Sequence, residues 1–289
     1  MDGPHSNTPL GTPPDVAQQQ AALAARYGAA ARPGMSFGAG PWNPTIASLL
    51  DHRSVRAYQA RAVPPGTLEM LVAAAQSAAT SSNLQTWSVV AVQDPRKRAV
   101  LAEIAGGQAH IEQAPLFLAW LADASRMARI GTATGTPLEG LPYLETFLVA
   151  AIDAALAAQN ATVAAESLGL ATVYIGALRN DPARVAELLA LPPGAVAVFG
   201  LCVGYAADSG EVKPRLPQAA ILHHDSYAVP DEAAQREGYD AVLGEFSRRH
   251  GMAADSWTQR IVSRIASVRA LRGRERLTAT LRGLGFPLR

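Results

Sequence analysis

Four short runs rich in branched aliphatic or aromatic residues, Ser88–Gln93, Leu116–Ala122, Thr172–Ile175 and Val196–Val203, punctuate this chain and predict strands. Between and around them the apolar positions recur at helical spacing. They predict helices over Pro65–Ala79, Arg96–Ala105, Glu145–Leu168, Asp181–Leu189, Glu232–Arg248 and Trp257–Val268. Few strands among many helices describe an α+β fold with one modest sheet and helices on both of its faces. No internal repeat is present.

The longest apolar stretch, Phe147–Leu170, approaches the length of a membrane span, but Asp153, Gln159, Asn160 and Glu166 interrupt it. Polar groups are costly in lipid, so the stretch reads as a core helix of a soluble domain, ended by Gly169. Its many alanines suit close helix packing, inside a domain or across a dimer. Before about Pro41 the pattern disappears into Pro, Gly, Ala and Gln with no signal-type apolar core. That part is expected to be a flexible extension, with at most a transient Ala-rich helix over Gln18–Tyr27, and its removal is expected to leave activity intact.

Charge and composition then narrow the function. With 289 residues, 49% apolar content and a net charge of +1, the chain supports a full globular core and has no general attraction for nucleic acid. One cysteine, Cys202, excludes an internal disulfide and points to a reducing, cytoplasmic setting. From Trp257 to Arg289 there are eight arginines, no lysine and one acid, Glu275. This +7 stretch reads as a solvated helix face, or as an arm toward a partner subunit or an anionic nucleotide.

Three segments carry the candidate chemistry. His52-Arg53-Ser54-Val55-Arg56 offers two guanidinium forks and a hydroxyl, and Lys213-Pro214-Arg215-Leu216-Pro217 puts two cations on a proline-stiffened loop. Both suit a phosphate. Tyr174-Ile175-Gly176-Ala177-Leu178-Arg179 is a β-type run ending at a glycine, where a backbone can approach a flat ring. Other chemistries are weakly represented. No G-x-G-x-x-G follows a strand and no Walker loop occurs. His223-His224-Asp225 lacks a further ligand at useful spacing, so no metal is expected. Cys202 lies in a buried-type strand and reads as an inert thiol.

These segments occur in order with Ser81-Ser82-Asn83-Leu84-Gln85, Gly106-Gly107-Gln108, the run from Asp153 to Gly169, and Phe199-Gly200-Leu201-Cys202. Together they resemble the FMN-dependent nitroreductase family, in its oxygen-insensitive NADPH nitroreductase and flavin reductase subgroup, over roughly Thr45–Tyr227. The resemblance implies a small, mostly antiparallel sheet flanked by helices in an intertwined homodimer. It divides the chain into a flexible extension (1–41), an FMN-binding core (42–230) and a C-terminal helical, Arg-rich segment (231–289). It implies bound FMN, NADPH as electron donor and small-molecule acceptors such as nitroaromatics, quinones or free flavin, with no nucleic-acid or membrane partner. Flavin N5 would be the redox centre, with no catalytic side chain.

Carried over, His52, Arg53, Ser54 and Arg56 would contact the phosphate and the polar ring edge, and Lys213 and Arg215 would grip the phosphate. Ser81, Ser82 and Asn83 would line the ring and ribityl chain, Gln108 would reach the ring's polar edge, and Tyr174, Ile175, Gly176, Ala177 and Arg179 would pass beside the isoalloxazine. The family usually has a second glycine where Ala177 stands, so its methyl is expected to narrow access to the ring. The alternatives are a non-enzymatic FMN-binding or regulatory protein, and a specialised member acting on flavin or halogenated aromatics.

Overall fold

A computed structural model describes residues 16–28, 40–253 and 255–289. In chain order the helices are α1 (Val16–Tyr27), α2 (Pro44–Leu50), α3 (Thr67–Gln76), α4 (Pro95–Ile104), α5 (His110–Gln113), α6 (Ser125–Thr134), α7 (Leu144–Ser167), α8 (Pro182–Leu188), α9 (Glu232–Arg249), α10 (Trp257–Ile265) and α11 (Leu277–Gly283). The strands are β1 (Trp87–Ala91), β2 (Leu116–Asp123), β3 (Ala171–Ile175) and β4 (Ala195–Gly204). All four strands predicted from the pattern are present. The chain divides into a larger unit, residues 54–210 with 271–289, and a smaller one that takes the described parts of 1–53 and 211–270.

In the larger unit the strands form one sheet in the order β1-β2-β4-β3, with every neighbour antiparallel. Successive side chains of a strand face opposite ways, so β2 serves two cores. Phe117, Ala119 and Leu121 join Val173, Ile175 and Cys202 on one face, packed with Leu101, Ile111 and Val185 from the α4, α5 and α8 layer. Leu118 and Trp120 join Leu201 and Val203 on the other, against Leu71, Ala75 and the alanines of α7. Burial on both faces explains why β2 reads as a continuous apolar run instead of an alternating one. Gly200 is required where the first layer meets β4, because a Cβ there would lie 2.4 Å from Phe117 Cζ.

Most alanines of α7 face inward: Ala150, Ala154, Ala157, Ala158, Ala161 and Ala165 are all buried. Small side chains let the helix lie close on the sheet and on α3, where Asn160 Nδ2 donates to Ala74 O at 3.2 Å. By length and composition α7 is apolar enough to cross a membrane. Its alanine face is occupied by the sheet, which makes it a core helix. The opposite face of α7 leaves Leu144, Leu148, Ile152 and Leu156 exposed at four-residue intervals.

Two pieces of the chain depart from the pattern. The Arg-rich stretch is shared between the units: α10 belongs to the smaller one, and α11 returns to the larger, burying Leu281 and Phe286 against Ala122, Ala150 and Val196. Its Arg274 is not a purely solvated charge, since its guanidinium donates to Asn180 Oδ1 at 2.9 and 3.1 Å. At the N-terminus, Val16–Tyr27 forms the well-defined helix α1, whose Gln19 and Arg26 are buried. The rest of the expected flexible extension, residues 1–15 and 29–39, lies outside the described residues.

Candidate functional site

The smaller unit draws two of the phosphate-type segments together. Asn43 caps α2 by accepting from Ile46 N at 2.9 Å, and α2 delivers the chain to His52 and Arg53. Arg26, on the last turn of α1, donates to Leu50 O at 2.7 Å, His52 O at 2.9 Å and Lys213 O at 3.0 Å. The Arg26 carbonyl in turn accepts from Arg215 N at 2.9 Å. Pro214 O is fixed by Tyr239 Oη of α9 at 2.9 Å. The backbone of the Lys213–Arg215 loop is thereby held on α1 and α9 while the Arg215 side chain stays exposed. Arg53 pairs with the Asp51 carboxylate, which fixes its guanidinium near the start of the segment.

The larger unit presents the remaining candidates. Ser54 forms a parallel bridge with Thr172, and Val55 N donates to Thr172 O at 3.0 Å, so the Ser54–Arg56 stretch runs beside β3, the strand that leads to Gly176. Arg56 is exposed and lies within electrostatic reach of His110. Burial, then the Arg56 charge, pull the His110 imidazole below its usual range, which keeps it neutral at pH 7. Gln108 stands two residues earlier, after Gly106 and Gly107, both left-handed in the turn that ends α4. Its side chain donates to Ala105 O at 2.8 Å.

Ser81, Ser82 and Asn83 are exposed on a short 3-10 turn. Ser82, Asn83 and Gln85 all have positive φ, an unusual density of left-handed non-glycine backbone, and such strain persists only where surroundings enforce it. Asp153 of α7 is the enforcing group. Its carboxylate, 98% buried, accepts from Thr80 Oγ1 at 2.7 Å, Ser81 N at 3.2 Å, and Thr86 N and Oγ1 at 3.1 and 3.0 Å. Four donors from both ends of the turn converge on one side chain.

After β3 the chain turns over Gly176–Asn180. Here two of the candidate residues make contacts inside the fold. Arg179 folds back so that its Nη1 donates to Val198 O of β4, and a Cβ on Gly176 would meet its guanidinium at 3.3 Å. A side chain at this position would press on the guanidinium and ask it to give way by a few tenths of an ångström. Ala177 packs its methyl against the α4, α5 and α8 core, so the extra carbon is used inside the fold. Tyr174 points to the opposite face, edge-on to Phe199 with ring centroids 5.1 Å apart, and its hydroxyl accepts from Thr162 Oγ1 at 3.2 Å.

In the smaller unit the cationic segments gathered on Arg26 have phosphate-binding chemistry, and in the larger unit the exposed hydroxyl, amide and guanidinium groups at Ser54, Arg56 and Ser81–Asn83 offer hydrogen bonds to a polar ligand. Among the described residues, no three His, Cys, Asp or Glu side chains gather where a metal could sit.

Comparison with known proteins places the chain in a family. The sequence profile of the Nitroreductase family matches residues 49–205, and that of its C-terminal domain matches residues 213–289. The chain belongs to the nitroreductase family. Within that family it is 42% identical over 226 residues to the FMN reductase [NAD(P)H] of Bacillus subtilis, covering 76% of this chain and 90% of that one. It is 38% identical over 221 residues to the oxygen-insensitive NADPH nitroreductase of Salmonella typhimurium, covering 76% and 90%. The structure of NfrA2 from B. megaterium superposes with a TM-score of 0.81 at 40% identity, over 86% of this chain and all of that one. The NADPH:FMN oxidoreductase of Vibrio harveyi, solved in complex with NAD+, superposes at 0.77 with 34% identity and the same coverage.

Cys202 stands apart from any such chemistry. It is fully buried in β4, its thiol donates to His110 O at 3.6 Å, and burial pushes its pKa up to about 12. The folded protein is therefore expected to leave its thiol unreacted with a disulfide reagent at pH 8, and Cys202→Ser to retain turnover. Labelling at the rate of the unfolded chain would contradict this.

Proposed function

We propose that this member of the nitroreductase family is an FMN-dependent NAD(P)H oxidoreductase that reduces nitroaromatics, quinones or free flavin by two electrons per turnover. The observation that carries the proposal is the pair of family matches that contain the cationic segments, joined by the anchoring of the His52, Lys213 and Arg215 backbone on one buried arginine. In this reading Lys213, Arg215, His52 and Arg53 hold the FMN phosphate. Ser54, Arg56 and Gln108 address the polar ring edge, Ser81, Ser82 and Asn83 the ring and ribityl chain, and Tyr174, Ile175, Gly176, Ala177 and Arg179 shape the backbone beside the ring. When bound, FMN would supply the redox chemistry, two-electron transfer from NAD(P)H to the acceptor. The residues around it orient donor and acceptor in turn.

The working form is proposed as a cytoplasmic homodimer, for which the exposed apolar stripe of α7 is the natural seam. Leu144, Leu148, Ile152 and Leu156 leave on one helix face an apolar surface that a second copy would cover.

Purified protein is expected to be yellow and to release FMN, not FAD, on denaturation. Double-reciprocal initial-rate plots against NADPH and a quinone should be parallel, because the two substrates occupy the same place in succession. A colourless protein that takes up no added FMN would refute the proposal. Intersecting plots would refute the alternating order while leaving the cofactor intact.

A further inference from the structure

Arg26 lies ahead of both stretches that match the family, in a region the sequence pattern treats as dispensable. Nevertheless it is 94% buried and touches both cationic segments. One nitrogen of its guanidinium binds the carbonyls of Leu50 and His52, and the other binds that of Lys213. Its own carbonyl receives the amide of Arg215. Gly28, two residues on, is left-handed and packed so tightly on α9 that a Cβ would fall 2.3 Å from Val242 Cγ1, which fixes the end of α1 in place.

We infer that Arg26 is a positioning residue for the FMN phosphate: α1, through this one side chain, sets the spacing between His52-Arg53 and Lys213-Arg215. The inference rests on the FMN reading above. A phosphate binds tightly only where its cations already stand at the right separation, since cations that must be ordered on binding subtract that ordering from affinity. Without Arg26, three backbone carbonyls lose a charged donor and the two segments lose their common anchor. The cations themselves remain. The consequence falls on recognition of the phosphate and not on the rest of the cofactor, which distinguishes it from a general loss of fold.

The test compares FMN with riboflavin, which has the same ring and ribityl chain and no phosphate. Affinities of the full-length apoprotein for both are measured by flavin fluorescence quenching, alongside its thermal unfolding. Arg26→Ala should weaken FMN binding by about tenfold or more and leave riboflavin binding unchanged, which brings the two affinities together. Arg26→Lys, whose ammonium reaches fewer of the three carbonyls, should fall between wild type and Arg26→Ala and serves the same comparison if Arg26→Ala does not fold. Unchanged FMN affinity in either variant, or equal losses for FMN and riboflavin, would overturn the inference while leaving the FMN reading standing. A wild-type protein that binds FMN no better than riboflavin would overturn the phosphate assignment itself, and this inference with it.

Discussion

Replacing Asp153 by Ala is expected to lower the unfolding free energy by about 3 to 5 kcal/mol, because each buried donor left without an acceptor costs about 1 to 3 kcal/mol and the Thr86 amide and hydroxyl are both deeply buried. Thr80 and Ser81 lose their partner as well, but lie nearer to water and add less. Asp153→Asn should lose an intermediate amount. Its carbonyl can still serve the three donors that converge on Oδ2, while its amide group then faces the Ser81 N–H, two donors without an acceptor between them. Urea unfolding of the apoproteins measures both. The same variants should release FMN more readily, since the left-handed turn of Ser82 and Asn83 is enforced from this carboxylate. A stability for Asp153→Ala within about 1 kcal/mol of wild type would show that water replaces the carboxylate at little cost.

Asp153 and Arg26 also mark the boundary of what the sequence reveals. The four strands were legible because each is a short run of aliphatic and aromatic residues, with β2 and β4 buried along nearly their whole length, and α7 was legible from its length. The cationic segments were legible because each packs its chemistry into five consecutive residues. What holds them is not local: Arg26 reaches across 187 positions to Lys213, and Asp153 across 67 to Thr86. No spacing rule connects such partners. Asp153 did leave a trace, a carboxylate among alanines on the buried side of an apolar helix, a place where a charge needs partners to persist. Arg26 left none, because an arginine in an Ala- and Gln-rich helix looks the same whether it faces solvent or a set of carbonyls.

The shorter helices were missed for a different reason. In α6 the sequence Ser125–Thr134 includes Gly131 and two threonines, poor helix formers individually, and it ends at the left-handed Gly135. Its formation depends on packing: Gly131 lies so close to Leu138 that a Cβ would approach Leu138 Cγ to 2.9 Å. In α11 the abundance of arginine masked an apolar stripe. Leu277, Leu281 and Leu284 pack with Phe286 on the end of the sheet, and Gly194 N donates to Leu284 O at 2.8 Å to complete the attachment. Charge dominated the reading of that stretch, whereas burial of its few large apolar side chains decided the fold.

The largest effect on cofactor binding should come from the cations themselves. Arg215→Ala or Lys213→Ala is each expected to weaken FMN binding by about 10- to 100-fold, the loss of one charge-assisted contact of about 1.5 to 3 kcal/mol. The double variant should lose more than the product of the two. In the proposed site both charges would address one phosphate from a loop whose backbone is held by Arg26 and Tyr239, so removal of the first would leave the second to recruit more of the phosphate oxygens. Riboflavin affinity should not change in any of the three. Raising salt should weaken FMN binding to wild type more than to the double variant, because less charge remains to be screened there. Dissociation constants from flavin fluorescence at two ionic strengths are sufficient. Equal FMN affinity in wild type and the double variant would mean that Lys213 and Arg215 are surface charges, and that the phosphate is held by the His52–Arg56 segment alone.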